Sequence, residues 1–203
     1  MFTGLVQAVG TLAVSNPTDT GRRLVIDPGA WDHVPAPGDS IAVSGCCLTV
    51  VGVTDVGWAF DAIPETLAKT TLGGLEAGSR VNLEHAVTAS TPMGGHFVQG
   101  HVDGVGRVTR IDTGDGWRVR VEPPADLMKF MIPKGSVTIE GVSLTLAAVE
   151  AGAGWIEVAL IPETLDRTTL RGLAAGDGVN LEADMLVRAV VQTTETVLEA
   201  RGG

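Results

Sequence analysis

Five side chains in this 203-residue chain are candidates for covalent or proton chemistry: Cys47, His96, His101, Ser143 and Thr145. A thiol such as Cys47 is either a nucleophile or a small buried hydrophobe. Cys46 and Cys47 are neighbours, and neighbours in a strand point to opposite faces. Disulfide geometry disfavours such a pair, so two free thiols in a reducing compartment are expected. No CxxC or Cys–His spacing accompanies them, and no metal site is expected. His96 and His101 sit five apart around "FVQG". His96 reads as a structural histidine bonded to backbone, and His101 as the candidate for proton transfer, since an imidazole titrates near neutral pH. The carboxylates Asp61, Glu65 and Glu163 are surface charges, helix-start charges or ligand contacts; both glutamates follow Pro and precede Thr. No GxGxxG follows a strand and no GxxxxGK occurs, so a nucleotide enzyme is not supported.

The elements that must position these residues are written twice. "IPETLAKTTLGGLEAGSRVNLE" (63–84) and "IPETLDRTTLRGLAAGDGVNLE" (161–182) agree at sixteen of twenty-two positions at an offset of 98. "DSIAVSGCCLTV" (39–50) aligns with "GSVTIEGVSLTL" (135–146), and "GLVQAVGTL" (4–12) with "GHVDGVGRV" (100–108), both at an offset of 96. Two single-residue insertions, one on each side of Trp155, are expected to supply the difference. A unit of this length is a duplicated domain and not a solenoid repeat. Within each copy, short Val-, Ile- and Thr-rich runs are punctuated by Gly and Pro, the pattern of a small antiparallel barrel or sandwich. Helical turns are predicted after Pro64 and Pro162 and at "PADLMKFM". The apolar parity shifts after Gly45 and again after Gly141, which predicts a bulge or bend at each glycine. Cys47 and Thr49 then share a face, as do Ser143 and Thr145 in the second copy.

Composition narrows the partners. The net charge is −10 and the fourteen basic residues form no run, which argues against nucleic acid. Tyr is absent, so a base-stacking platform is not expected either. No apolar run reaches the ~20 residues of a membrane span, and "MFTGLVQAVG" lacks the positive region of a signal peptide. A cytoplasmic protein is expected. The last segment, "DMLVRAVVQTTETVLEARGG", has Leu186, Val190 and Val197 at helical spacing with Gly202 as a stop. Its apolar stripe needs a cover, either its own barrels or the same helix of other subunits.

Taken together, "MFTGLV", "GCCLTV", "GGHFVQGHVDGVG", "GVSLT" and the twin "IPETL" segments resemble the alpha-type riboflavin synthase family over nearly the whole chain. The resemblance implies an all-β fold of two tandem, duplicated six-stranded antiparallel β-barrels plus a C-terminal α-helix that joins three chains. The expected domains are an N-terminal lumazine-binding barrel over 1–96, a C-terminal one over 97–185, and an oligomerisation helix and tail over 186–203. The implied reaction is a dismutation of two 6,7-dimethyl-8-ribityllumazine molecules. A four-carbon unit passes between them, giving riboflavin and 5-amino-6-ribitylamino-2,4(1H,3H)-pyrimidinedione, with no cofactor and no metal. Lumazine synthase is a candidate partner.

The family's site lies between the N-barrel of one subunit and the C-barrel of its neighbour. Carried over, the N-barrel pocket would use Gly4, Leu5, Val6, Cys47, Leu48 and Thr49 with the stretch Asp61, Ala62, Ile63, Pro64, Glu65 and Thr66. The C-barrel pocket would use Gly100, His101, Val102, Ser143, Leu144 and Thr145 with Ala159, Leu160, Ile161, Pro162, Glu163 and Thr164. Lys134 would reach a ligand held by the adjacent chain. Glu140 stands where the family pattern has Asp. A non-catalytic lumazine- or flavin-carrying protein on the same fold is the rival reading. Such carriers tend to let one pocket decay, whereas both copies here keep their hydroxyl or thiol pairs.

Overall fold

In a computed structural model, which describes residues 1–202, the chain forms two closed antiparallel barrels of six strands each. The first holds β1 (Ala8–Thr18), β2 (Gly21–Asp27), β3 (Ser40–Val43), β4 (Cys46–Thr54), β5 (Gly57–Ala62) and β6 (Arg80–His85) in the order β1-β2-β5-β4-β3-β6. The second holds β7 (Gly104–Asp112), β8 (Trp117–Glu122), β9 (Ser136–Ile139), β10 (Val142–Glu150), β11 (Trp155–Leu160) and β12 (Gly178–Ala183), connected in the same way. Short helices α1 (Pro64–Lys69) and α2 (Pro162–Arg167) start at the expected prolines, and a 3-10 turn covers Ala125–Phe130. The predicted twofold writing of the fold is thus borne out.

Closure follows from where the apolar side chains fall. Leu12, Leu24, Ile26, Ile41, Val43, Val50 and Leu83 fill the first barrel. Their counterparts Val108, Val119, Val121, Val137, Ile139, Leu146 and Leu181 fill the second. Bulges between Leu12 and Val14 and between Val50 and Gly52 recur between Val108 and Arg110 and between Leu146 and Ala148. Each adds twist where a strand must curl round the barrel.

Two expectations are corrected. The parity shift at Gly45 and Gly141 is a chain reversal and not a bulge. Ser44 and Gly45 have φ 45° and 80°, Glu140 and Gly141 51° and 79°, the left-handed pair of a two-residue hairpin. Val43 then opposes Cys46, and Ile139 opposes Val142, so each pair shares a face. Both extra residues of the second copy lie before Trp155. Thr54 pairs with Gly57 across two residues, whereas Glu150 pairs with Trp155 across four.

The barrels meet tip to tip at these two hairpins. Gly45 and Gly141 lie back to back: a Cβ on either would sit 2.7 Å from the other's backbone nitrogen. Asn82 and Asn180 cross the junction reciprocally. Asn82 Nδ2 donates to Glu140 O and Asn180 Nδ2 to Ser44 O, both at 2.8 Å. Their Oδ1 atoms accept from the Thr169 and Thr71 amides at 2.8 and 2.7 Å.

Glu140 belongs to this junction. Its Oε1 accepts from the Asn180 amide at 2.7 Å and the Thr71 hydroxyl at 3.3 Å. Burial pushes its carboxyl up to about 7 from an ordinary value of 4.5. The folded value lies above the unfolded one, so its stabilising contribution is full below the unfolded value and is lost as pH rises through about 7. Glu140→Gln keeps one oxygen to accept from Asn180. It is expected to raise the melting temperature at pH 8 by a few degrees while changing it little at pH 5, as differential scanning fluorimetry would read.

The C-terminal helix α3 (Met185–Gly202) carries two apolar stripes. Val187 and Val191 pack on the second barrel, and Lys129 pairs with Glu195 at 2.9 Å. Leu186, Val190 and Leu198 remain 56%, 65% and 63% exposed. Residue 203 of the predicted tail lies outside the described residues. No helix among the described residues is long and apolar enough to cross a membrane.

Candidate active site

The seven residues before β1 and the matching stretch before β7 are arms that leave their own barrels. They pair with each other through Phe2 and Val98, with N–H to O distances of 2.7 and 3.2 Å. Each then runs beside the other barrel. The Ser143 amide donates to Gly4 O, and the Cys47 amide to Gly100 O, both at 2.8 Å. Val6 packs on the core of the second barrel and Val102 on the core of the first. Gly4 and Gly100 are required by this approach: a Cβ on either would lie 2.6 Å from the Cβ of Ser143 or Cys47.

The exchange builds two equivalent clefts. One, of about 260 Å³, is lined by Cys46, Cys47, Ile63, Glu65, Thr66, Lys69, Thr70, Gly100, His101 and Val102. The other, of about 280 Å³, is lined by Gly4, Leu5, Val6, Val142, Ser143, Glu163, Thr164, Arg167 and Thr168. The expected allotment of arms is therefore reversed. Gly4, Leu5 and Val6 serve the second barrel, and Gly100, His101 and Val102 serve the first. Internal equivalence pairs Gly4 with Gly100 but does not say which barrel each one faces.

Other sequence candidates fall outside the two linings. Leu48, Leu144, Ala62 and Leu160 are buried core residues. Thr49, Thr145 and Ala159 are exposed on their strands. Asp61 forms a two-point ion pair with Arg23 at 2.7 Å, and that hydrogen bond holds its carboxyl below the usual range. Pro64 and Pro162 open their helices, and Ile161 is exposed outside the linings, whereas Ile63 lines the first cleft. Lys134 sits at φ 67° in the tight turn before β9, where its amide donates to Leu146 O. A larger cavity of about 580 Å³ lies at the barrel junction beside Thr71, Glu140 and Thr169. It is lined by neither Cys47, Ser143 nor a histidine, whereas the paired clefts are lined by Cys47 and His101 in one and Ser143 in the other.

The reactive groups differ between the clefts. In the second, Ser143 Oγ lies 2.7 Å from His96 Nδ1, and His96 Nε2 lies 3.2 Å from the Thr138 hydroxyl. His96 thus bonds two side-chain hydroxyls, where a backbone partner was expected. Burial lowers its pKa, which favours the neutral ring, whose free nitrogen can accept a hydrogen bond from a partner hydroxyl. In the first cleft Cys47 faces the segment of His101, and burial pushes the neighbouring Cys46 thiol up to about 12, keeping it protonated. Glu65 is paired with Lys69 at 2.9 Å and Glu163 with Arg167, which places a carboxylate–cation pair at the same spot in each cleft.

Sequence reasoning passed over Lys69, Arg167 and two buried carboxylates. Glu84 accepts the amides of Thr3 and Gly4 at 2.7 and 3.0 Å, and Glu182 those of Gln99, Gly100 and His101 at 2.6, 2.9 and 3.0 Å. The identical "VNLE" of residues 81–84 and 179–182, with a carboxylate inside an apolar strand, was the available signal.

The chain is similar to lumazine-binding proteins and riboflavin synthases over nearly its whole length. The family described as lumazine binding domain matches twice, over residues 3–86 and 99–184. A riboflavin synthase of Mycobacterium tuberculosis (strain ATCC 25618 / H37Rv) is 42% identical over 193 residues, 94% of this chain and 96% of that protein. One from Chlamydia pneumoniae is 37% identical over 203 residues, 100% of this chain and 99% of its own. Among solved structures, LumP complexed with riboflavin superposes with a TM-score of 0.78 at 28% identity, covering 90% of this chain and 99% of that one. LumP complexed with 6,7-dimethyl-8-(1'-D-ribityl) lumazine gives 0.77 at 27% identity and the same coverage.

Proposed function

The chain belongs to the riboflavin synthase family, and from that premise we propose how its paired clefts carry out the reaction. The reaction is that of the family: two 6,7-dimethyl-8-ribityllumazine molecules become riboflavin and 5-amino-6-ribitylamino-2,4(1H,3H)-pyrimidinedione as four carbons move from one to the other. Each cleft takes one lumazine. Backbone groups of the arms and strand ends face the flat pyrimidine edge, and Thr66, Thr164 and the adjacent carboxylate–cation pairs face the ribityl chain. The substrate carries its own acidic methyl group, so pre-arranging the two rings supplies much of the acceleration, about 7–11 kcal/mol for a well-oriented pair. The groups that move protons are Ser143 with His96 in one cleft, and Cys47 with His101 in the other. The reaction is a group transfer needing neither cofactor nor metal.

The observation that carries this reading is the pair of equivalent clefts, each with a hydroxyl or thiol beside a lent arm. The clefts, of about 260 and 280 Å³, lie at the small end of the ~300–1,000 Å³ of ligand pockets. Exposed Leu5 and Ile63, which line the two clefts, await a cover. That cover is the opposite cleft of a neighbouring chain in a homotrimer joined through the outer stripe of α3. A cytoplasmic setting, with lumazine synthase nearby to supply substrate, fits the two free thiols. The test is to mix the protein with the lumazine alone and follow riboflavin absorbance, with light scattering on the same sample. A trimer giving riboflavin at half the substrate's molar amount is expected. A shifted lumazine spectrum without turnover would mean a carrier, and no change would mean neither.

A further inference from the structure

Glu84 and Glu182 are each 4% exposed, in a protein where burial of a carboxylate is costly. Burial pushes both carboxyls up, Glu182 to about 7, despite the amides they accept. What they hold is the base of the arms. Glu84 Oε1 takes the Thr3 amide and hydroxyl, both at 2.7 Å, and Oε2 takes the Gly4 amide at 3.0 Å. Glu182 Oε1 takes the Gln99 amide at 2.6 Å, and Oε2 takes those of Gly100 and His101 at 2.9 and 3.0 Å.

The placement is reciprocal. Glu182 stands on β12 of the second barrel, but the residues it fixes line the cleft of the first. Glu84 stands on β6 of the first, but Gly4 and Leu5 line the cleft of the second. We propose that both are positioning residues for the reaction, each fixing through backbone amides the arm that its own barrel lends to the other barrel's cleft. Glu182 sets His101 against Cys47, and Glu84 sets Leu5 against Ser143. A carboxylate suits the task because both oxygens accept, and charge-assisted bonds of this kind are about twice as strong as neutral ones. A glutamine can accept at one oxygen only and turns its own N–H groups toward the remaining amides.

The inference rests on the riboflavin synthase reading, so wild-type turnover is measured first; a wild-type protein that forms no riboflavin overturns that reading and this one with it. With wild type active, Glu182→Gln and Glu84→Gln are each expected to lower kcat about a hundredfold, the loss that a 1 Å misplacement brings. KM and melting temperature should move little, and Glu182→Asp, which keeps the charge, should recover part of kcat. Tying the arm for stability alone would instead lower the melting temperature and leave kcat per folded molecule unchanged. That outcome overturns the inference and leaves the riboflavin synthase reading standing. Should a Gln variant not fold, Glu182→Asp carries the test: kcat down about tenfold at an unchanged melting temperature supports the assignment, and unchanged kcat refutes it.

Discussion

Ser143→Ala is expected to cut turnover by about a hundredfold or more, within the range that a positioned proton-transfer group contributes, and to leave the fold intact. The hydroxyl is 2.7 Å from His96 Nδ1, and no other side chain in the second cleft offers that ring a partner at such range. The backbone bond from the Ser143 amide to Gly4 O survives the substitution, so the arm stays docked. Cys47→Ala is expected to cost less. Ser143 is hydrogen-bonded to His96, whereas among the described residues no hydrogen bond joins the Cys47 thiol to an imidazole. Steady-state rates with the lumazine, read beside thermal unfolding curves, check both variants. Wild-type rates in both would sink the assignment of the clefts.

The largest effect on stability is expected at the barrel junction. Gly141→Ala places a methyl 2.7 Å from the Gly45 nitrogen and 3.0 Å from its Cα, backbone atoms that cannot step aside. The left-handed φ of 79° adds about 1–2 kcal/mol by itself. Together the loss should reach about 3 kcal/mol or more, a fall of roughly 10 °C for a chain of this size. Gly154→Ala isolates the second cause. Its φ is 72° and nothing lies within 4 Å of the added carbon, so only the conformational cost applies. Equal melting temperatures for the two variants would show that the hairpins are not pressed together in solution.

How far these features could be read from the residues varies with their physics. The barrels were legible because alternation, Gly and Pro punctuation and the repeat all express local rules. Cys47 and Ser143 were legible because a polar residue recurs at one strand position in both copies. The hairpins at Gly45 and Gly141 were mistaken for bends because Ser-Gly and Glu-Gly are weaker signals than Asn-Gly or Asp-Gly, though both need the same left-handed pair. The arm exchange was invisible for a deeper reason. A repeat with twofold pairing maps position 4 onto position 100 whether each arm folds back on its own barrel or crosses to the other. Only the distances that put Ser143 beside Gly4, and Cys47 beside Gly100, separate the two cases. His96 was undervalued because its partners, Ser143 and Thr138, are 47 and 42 residues away.

The crossed arms also bear on descent. Each cleft is lined by the arm of one half and the strands of the other, so a lone half with such an arm completes a cleft only against a second copy. Fusion then made the halves separately mutable. Leu5 standing where the second copy has His101, and Cys47 where it has Ser143, are cleft positions at which the two copies differ.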